Sequence, residues 1–245
     1  METAEYDRIA AAEDGHWWYR ATRSLMSDLL ERHLGTGQRI LDAGCGPGGN
    51  GAWLASHGRV VGLDVAPEAV AYVRDRRPST VPVRGSVSAL PFGPSTFDVA
   101  VVITVVNIVA DDSVALRDLT LVLRPGGALL LIEPAFPSLR RGHDAVVHTR
   151  RRYRKSQLTR LVEAAGLQIE RATYAHAPLV PAAAALSLWE RARRRQAETP
   201  TSDLERGGGL DRLFAGLALL ERRLLRRLDL PIGLSVAVVA TKPHH

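Results

Sequence analysis

The chain has 245 residues, 46% of them hydrophobic, and a formal net charge of +6. That length supports one large α/β domain with an insertion, or two small domains, each with a full core. The lone cysteine, Cys45, excludes an internal disulfide and a cysteine-rich zinc site, and the absence of a signal peptide or a bilayer-spanning apolar run leads us to expect a cytoplasmic protein.

The first conspicuous stretch is HWWYR, His16 to Arg20, in a chain with only 5% aromatic residues. It reads either as a packing anchor or as part of a helical lid over residues 1–37 that closes on a ligand and excludes water. Gln38–Ala43 is a short apolar run that ends in a glycine loop, the pattern of a buried parallel strand. A helix is expected over Gly51–His57, a second strand over Arg59–Asp64, and a helix over Pro67–Arg76 with Pro67 in its first turn. Val81–Arg84 reads as a weaker third strand and Phe97–Ile103 as a fourth, followed by an amphipathic helix over Asp111–Leu123. Arg124–Gly127 is a turn and Ala128–Glu133 a fifth strand. Ser156–Ala165 is a helix closed by Gly166, Leu167–Tyr174 a sixth strand, and Leu234–Thr241 a seventh.

This alternation predicts a doubly wound sheet, with its ligand beyond the C-terminal strand ends near the switch point. Residues 175–233 break the alternation. An alanine-rich apolar stretch is followed by ERARRRQ, a polar linker over Ala197–Gly209, and a leucine-rich segment from Leu210. They read as a helical insertion before the last strand. Its leucines at 210, 213, 217, 220, 224 and 228 share one helical face. Such a face packs on its own domain, covers an apolar substrate, or meets an anionic membrane.

The glycine loop contains two patterns. Gly44, Gly46 and Gly49 spell the dinucleotide fingerprint, and Asp42, Gly44, Gly46 and Gly48 spell D-x-G-x-G-x-G. A pyrophosphate would be repelled by Asp42 and would lose an N–H donor at Pro47, whereas a methionyl ammonium would not be repelled. Asp64, about 20 residues past the loop, is placed to take ribose hydroxyls in either case. An NAD-dependent enzyme is therefore the rival reading, with a non-catalytic binding protein of the same fold as a third.

The blocks ILDAGCGPGG (40–49), VVGLDVAPEAV (60–70), RGSVSALPF (84–92), FDVAVVITVVNIVAD (97–111) and LRPGGALLLIEP (123–134) occur in order. Together they resemble class I S-adenosylmethionine (SAM) methyltransferases, over about residues 14–174 and the final strand. The resemblance implies a Rossmann-like seven-stranded sheet, mostly parallel with the last strand antiparallel, and a SAM-binding domain at 38–174, with the final strand and tail at 234–245. It also implies that Asp42, Gly44, Gly46 and Gly48 surround the methionyl part of SAM and that Asp64 binds the ribose. Val65, Ser86 and Val87 would flank the adenine, and Thr104 would lie beside the methionyl group. The HWWYR block resembles an N-terminal block of such bacterial enzymes, with Arg20 aimed at the SAM carboxylate and His16 and Tyr19 among the catalytic candidates. The other candidates are His148, as a base, and Tyr153, which with Arg152 would orient the acceptor. Where the family often has Asp and Glu-His, this chain has Ser86 and Asn107-Ile108.

The expected reaction is methyl transfer to a small-molecule or lipid-like acceptor, with peripheral membrane contact through the basic insertion. Nucleic acid is disfavoured because no N-P-P-Y-like run follows the fourth strand. No metal is expected, since the spacing of His143, Asp144 and His148 matches no strong ligand motif.

Overall fold

The structure, a computed structural model, describes residues 9–13, 15–193 and 211–244. The linker expected over Ala197–Gly209 and Leu210 lie outside the described residues. After helical residues 9–13, the elements run α1 (Trp17–Leu29), β1 (Gln38–Ala43), α2 (Gly49–Leu54), β2 (Gly58–Asp64), α3 (Pro67–Arg76) and β3 (Thr80–Arg84). Then follow β4 (Phe97–Ile103), α4 (Asp112–Val122), β5 (Leu123–Pro134), α5 (His143–Val146), α6 (Lys155–Ala164) and β6 (Gln168–Ala175). The insertion supplies α7 (Val180–Arg193) and α8 (Asp211–Leu225), and β7 (Ser235–Thr241) closes the sheet.

The strand order is β3-β2-β1-β4-β5-β7-β6. The first five strands pair in parallel, and β7 slots antiparallel between β5 and β6. The chain reverses its winding between β1 and β4, so the loops after those strands diverge and leave a crevice. The sheet is covered on both faces because successive side chains point to opposite sides. Ala100 and Val102 of β4 join Leu116, Leu119, Leu158 and Val162 under α4 and α6. Val99 and Val101 join Leu25, Met26 and Leu54 under α1 and α2, together with Leu225 of α8.

Differences from the expected elements have local causes. The helix after the glycine loop starts at Gly49 rather than Gly51, and its first N–H is satisfied by Glu13 Oε2, which accepts from Gly49 N at 2.9 Å. The expected turn over Arg124–Gly127 is an irregularity at the head of β5, where Gly126 takes φ +73° and the β4–β5 register shifts.

The larger correction concerns α8. Its inward positions are Ala218, Glu221 and Leu225, whereas Leu220, Leu224 and Leu228 are exposed, at 54%, 45% and 60%. Polar anchors set the rotation of this helix. Glu221 Oε1 accepts from Ala177 N at 2.7 Å, and Arg222 and Arg226 both donate to Asp28 of α1. Burial pushes the Asp28 carboxyl up, but the two guanidinium groups more than offset this and hold it below its ordinary value.

At Gly58 a Cβ would stand 2.0 Å from the Gln38 carbonyl oxygen of β1. Gly58→Ala is expected to destabilise the fold by about 2–4 kcal/mol, because neither strand backbone has room to retreat. Urea unfolding checks this. An unchanged midpoint would show that the β1–β2 edge yields freely.

Candidate active site

The glycine loop joins β1 to α2 through three left-handed residues, Gly44 (φ +78°), Gly46 (φ +51°) and Gly48 (φ +89°). Two of them need glycine for different reasons. A Cβ at Gly44 would meet Val105 Cγ2 at 2.2 Å, because the loop after β4 packs directly on it. A Cβ at Gly46 would meet nothing within 4 Å, and Gly46 lines the cavity, so backbone is presented to open space where a ligand can approach closely.

Asp64, at the end of β2, ties this loop to the next. Its Oδ2 accepts from Gly46 N and its Oδ1 from Ala66 N, both at 3.0 Å. Each carboxylate oxygen keeps acceptor capacity for a second donor. Val65, 64% exposed, continues the rim, followed by Ser86 and Val87 after β3. Thr104, held at φ +55° with its N–H on Ile132 O at 2.8 Å, turns the chain at the end of β4. These residues line one cavity of about 560 Å³, and His16, Trp18, Tyr19 and Thr22 of the N-terminal block close its side.

The far end of the same cavity is built differently. Glu133, fully buried at the end of β5, accepts from the N–H groups of Val105, Val106 and Asn107 at 3.2, 2.8 and 3.2 Å. Burial pushes its carboxyl up to about 8 despite those donors. Arg152 grips Asp144 through two hydrogen bonds of 2.8 and 3.0 Å, and Asn107 Nδ2 donates to Thr149 Oγ1 at 3.2 Å. His143 and Arg141 line this end, with Leu139, Leu179, Ala183 and Phe214 as its apolar wall. The result is an elongated chamber, polar along the glycine loop and mostly apolar under the insertion.

Several expected site residues stand elsewhere. Arg20 lies in a separate groove between α1 and α8, because at 100° per residue it falls on the far side of α1 from Trp18, Tyr19 and Thr22. Asp42 is buried behind the loop, and Gly48 faces α3, where a Cβ would meet Val73 and Arg77; neither lines the cavity. His148 is exposed, at φ +55°, on the outer side of its turn. Tyr153 is a core residue, 4% exposed, whose hydroxyl donates to Asp112 Oδ2 at 3.0 Å. Burial, with Glu133 and Asp112 nearby, pushes its phenol far up, and it does not line the cavity in which it was expected to orient the acceptor. Trp189 is 46% exposed and forms no wall of the chamber. Cys45, which the sequence did not single out as a site residue, does line the chamber; it is buried, with its thiol pushed far up by that burial.

His16 caps α1, its Nδ1 accepting from Trp18 N at 3.3 Å. In the neutral ring that assignment puts the proton on Nε2, which makes His16 a donor rather than a base.

Glu13 was not foreseen. It is 4% exposed, lines the chamber, and lies 3.6 Å from Arg77 Nη2 as well as bonding Gly49. Nothing in its local sequence marks it, since its partners are 36 and 64 positions away. His143 appeared in the sequence only as a weak metal ligand, and among the described residues no cluster of three such ligands forms.

Residues 41–131 match a family model described as a methyltransferase domain. A probable S-adenosylmethionine-dependent methyltransferase of Mycolicibacterium smegmatis is 31% identical over 166 residues, covering 66% of this chain and 63% of that one. Demethylmenaquinone methyltransferase of Mycobacterium tuberculosis is 33% identical over 130 residues, covering 50% of this chain and 49% of that one. The chain thus spans between about half and just under two thirds of these relatives. Among solved structures, the methyltransferase chain in complex with the Haloferax volcanii Trm112 methyltransferase activator superposes with a TM-score of 0.65 at 20% identity, covering 99% of this chain and 96% of that chain. At that identity the likeness shows the fold.

Burial first, and then the charges of Glu13 and Asp64, push the Asp42 carboxyl up to about 7, and its Oδ2 has no hydrogen-bond partner. A folded-state value above the unfolded one gives a stability that is fully present below pH 3.8 and is lost as pH rises through 7. Asp42→Asn should therefore gain in melting temperature over the parent chain between pH 5 and pH 8. A difference that is flat across that range would show that Asp42 is charged throughout.

Proposed function

The chain carries a class I SAM-dependent methyltransferase domain over residues 41–131, and from that premise we propose that the whole chain transfers a methyl group from SAM to a small-molecule or lipid-like acceptor in the 560 Å³ chamber. The observation that carries this reading is the joining, in one cavity, of a glycine loop with Asp64 at one end and a chiefly apolar wall under the insertion at the other. Bound SAM supplies an electrophilic methyl group on a cationic sulfur.

The residues present fit that group. The carboxylate of Asp64 has acceptor capacity for two ribose hydroxyls. The open backbone at Gly46 admits the methionyl part, and Gly44 lets the loop after β4 close behind it. Val65 and Val87 offer apolar contact to a purine, with the Ser86 hydroxyl at its edge. Asp42 stands behind the loop and does not line the cavity, and Arg20 lies in the groove between α1 and α8.

Transfer by in-line displacement depends chiefly on alignment, so the wall residues matter as much as any acid or base. Where the acceptor must lose a proton, His143 takes the role first assigned to His148, because it lines the chamber. The N-terminal block and the insertion together exclude water from the transfer. In this reading residues 1–37 are the lid and 175–233 the cap of a SAM-binding domain at 38–174.

Two features support a lipid-like acceptor. The demethylmenaquinone methyltransferase named above bears the name of a quinone substrate. The outer face of α8 and its continuation expose Leu219, Leu220, Leu224, Leu228 and Ile232 alongside Arg223 and Arg227. Such a face suits an anionic membrane surface, where leucines insert below the head groups and arginines meet them. Among the described residues, no helix is long and apolar enough to cross a membrane.

SAM should raise the melting temperature where NAD does not. Asp64→Ala should weaken SAM by about 1–3 kcal/mol, or roughly tenfold to a hundredfold in Kd, by calorimetric titration. Unchanged affinity in a folded variant would take Asp64 out of the site. Flotation with phosphatidylglycerol vesicles should carry the chain upward at low salt and lose it at high salt. Leu220→Gln combined with Leu224→Gln should abolish flotation, and persistence of flotation in that variant would exclude this face.

A further inference from the structure

A groove of about 290 Å³ runs between α1 and α8 and shares only the Trp17 side chain with the large chamber. The two helices run parallel and are pinned at both ends. Trp17 and Phe214 meet at one end with ring centroids 5.1 Å apart and planes tilted by 41°, and at the other Asp28 receives Arg222 and Arg226. Between the pins, roughly three turns or about 16 Å apart along α1, the facing residues are small: Ala21 and Ser24 against Ala215 and Ala218. Helices with such small facing residues ordinarily close to contact distance. Alongside the contact between the two helices a slot remains, with Leu25 and Leu225 along it.

The charges around the slot are unequal. Asp28 is paired with both Arg222 and Arg226, so its own negative charge is compensated. Burial favours the protonated form of Glu221, which also accepts from Ala177 N. His176 is buried, with its imidazole pushed down to about 4, and so is neutral at physiological pH. Arg20 stands at the rim, exposed, one turn from Trp17, and has no partner among the described residues. Arg20 is therefore the cation that stands, among the described residues, without a side-chain partner at the end of the groove that abuts the chamber.

We propose that this slot seats the alkyl chain of an amphiphilic acceptor, an unbranched chain bearing an anionic carboxylate head at Arg20, with Trp17 as the wall between the chain and the methyl-transfer chamber. This rests on the reading that a lipid-like acceptor reaches the chamber. The slot is mostly apolar and of a volume, about 290 Å³, that suits one alkyl chain. Its cation lies at the Trp17 end, so the head of the chain is delivered beside the chamber rather than away from it.

The test uses dodecanoate, below its micelle concentration, titrated calorimetrically into the full chain saturated with S-adenosylhomocysteine. One dodecanoate should bind per chain. Ala218→Phe, which fills the slot, and Arg20→Gln, an exposed change that leaves the core intact, should each weaken it at least tenfold. The methyl ester of dodecanoate should be indifferent to Arg20→Gln. Leu220→Gln combined with Leu224→Gln should leave the affinity unchanged. Displacement of dodecanoate by S-adenosylhomocysteine, unchanged affinity in Ala218→Phe or Arg20→Gln, or loss in the double leucine variant would each overturn the proposal. If the parent chain fails to bind S-adenosylhomocysteine, the methyltransferase reading falls, and the same titration without it still decides the slot.

Discussion

The chamber depends on a carboxylate that never touches it. Glu133 sits at the end of β5 with no exposure and collects three consecutive backbone N–H groups from the chain leaving β4. Those donors would otherwise be buried without partners, at a cost of about 1–3 kcal/mol each. Once they are fixed, Val105 lies against Gly44, and the absence of a Cβ there lets the glycine loop close. The loop then presents Gly46 N to Asp64, which holds Ala66 N with its other oxygen. A single line of contacts thus runs from the buried end of β5 through the switch point to the end of β2. Both walls of the crevice are set by it.

Electrostatics sharpen the same picture. Glu13, Asp42 and Asp64 bring three carboxyl groups to the region of the glycine loop, with Arg77 beside Glu13. The raised Asp42 and Glu133 carboxyls show the price of burying such groups. The Asp64 carboxylate at the cavity wall is unsuited to a pyrophosphate and suited to a cationic ligand with ribose hydroxyls. The preference for SAM over a dinucleotide therefore resides in the charge around the loop more than in its glycines, which serve either ligand.

The N-terminal helix works on two sides at once. Trp18, Tyr19 and Thr22 face the chamber, while Arg20, Ala21 and Ser24 face α8. Rotating α1 by half a turn would exchange these roles. Its orientation is set at one end by the His16 cap and the tilted Trp17–Phe214 contact, and at the other by the Asp28 ion pairs. Because α8 is held by the same contacts, Leu219, Leu220 and Leu224 are turned outward while Leu225 is buried. α1 and α8 are therefore tied to one another at both ends of their contact.

Much of this was legible in the residues themselves. β1, α3 and β4 occupy the ranges their apolar runs and proline position indicate, because a strand buried on both faces must be continuously apolar and a helix start favours proline. The positions of Gly44, Gly46, Asp64, Val65, Ser86, Val87 and Thr104 on the cavity wall follow from that sheet order, since each lies just past a parallel strand end. Only tertiary structure decided the rest. Glu13 meets Gly49 across 36 residues, Tyr153 meets Asp112 across 41, and Arg222 meets Asp28 across 194. Period and composition specify which face of a helix is apolar, but not which face is turned inward when polar anchors compete with leucines. That choice in α8, the burial of Tyr153 and the displacement of Arg20 to a second groove depend on partners distant in the chain. Local sequence carries the energy of an element, and only the assembled fold supplies the contacts that orient it.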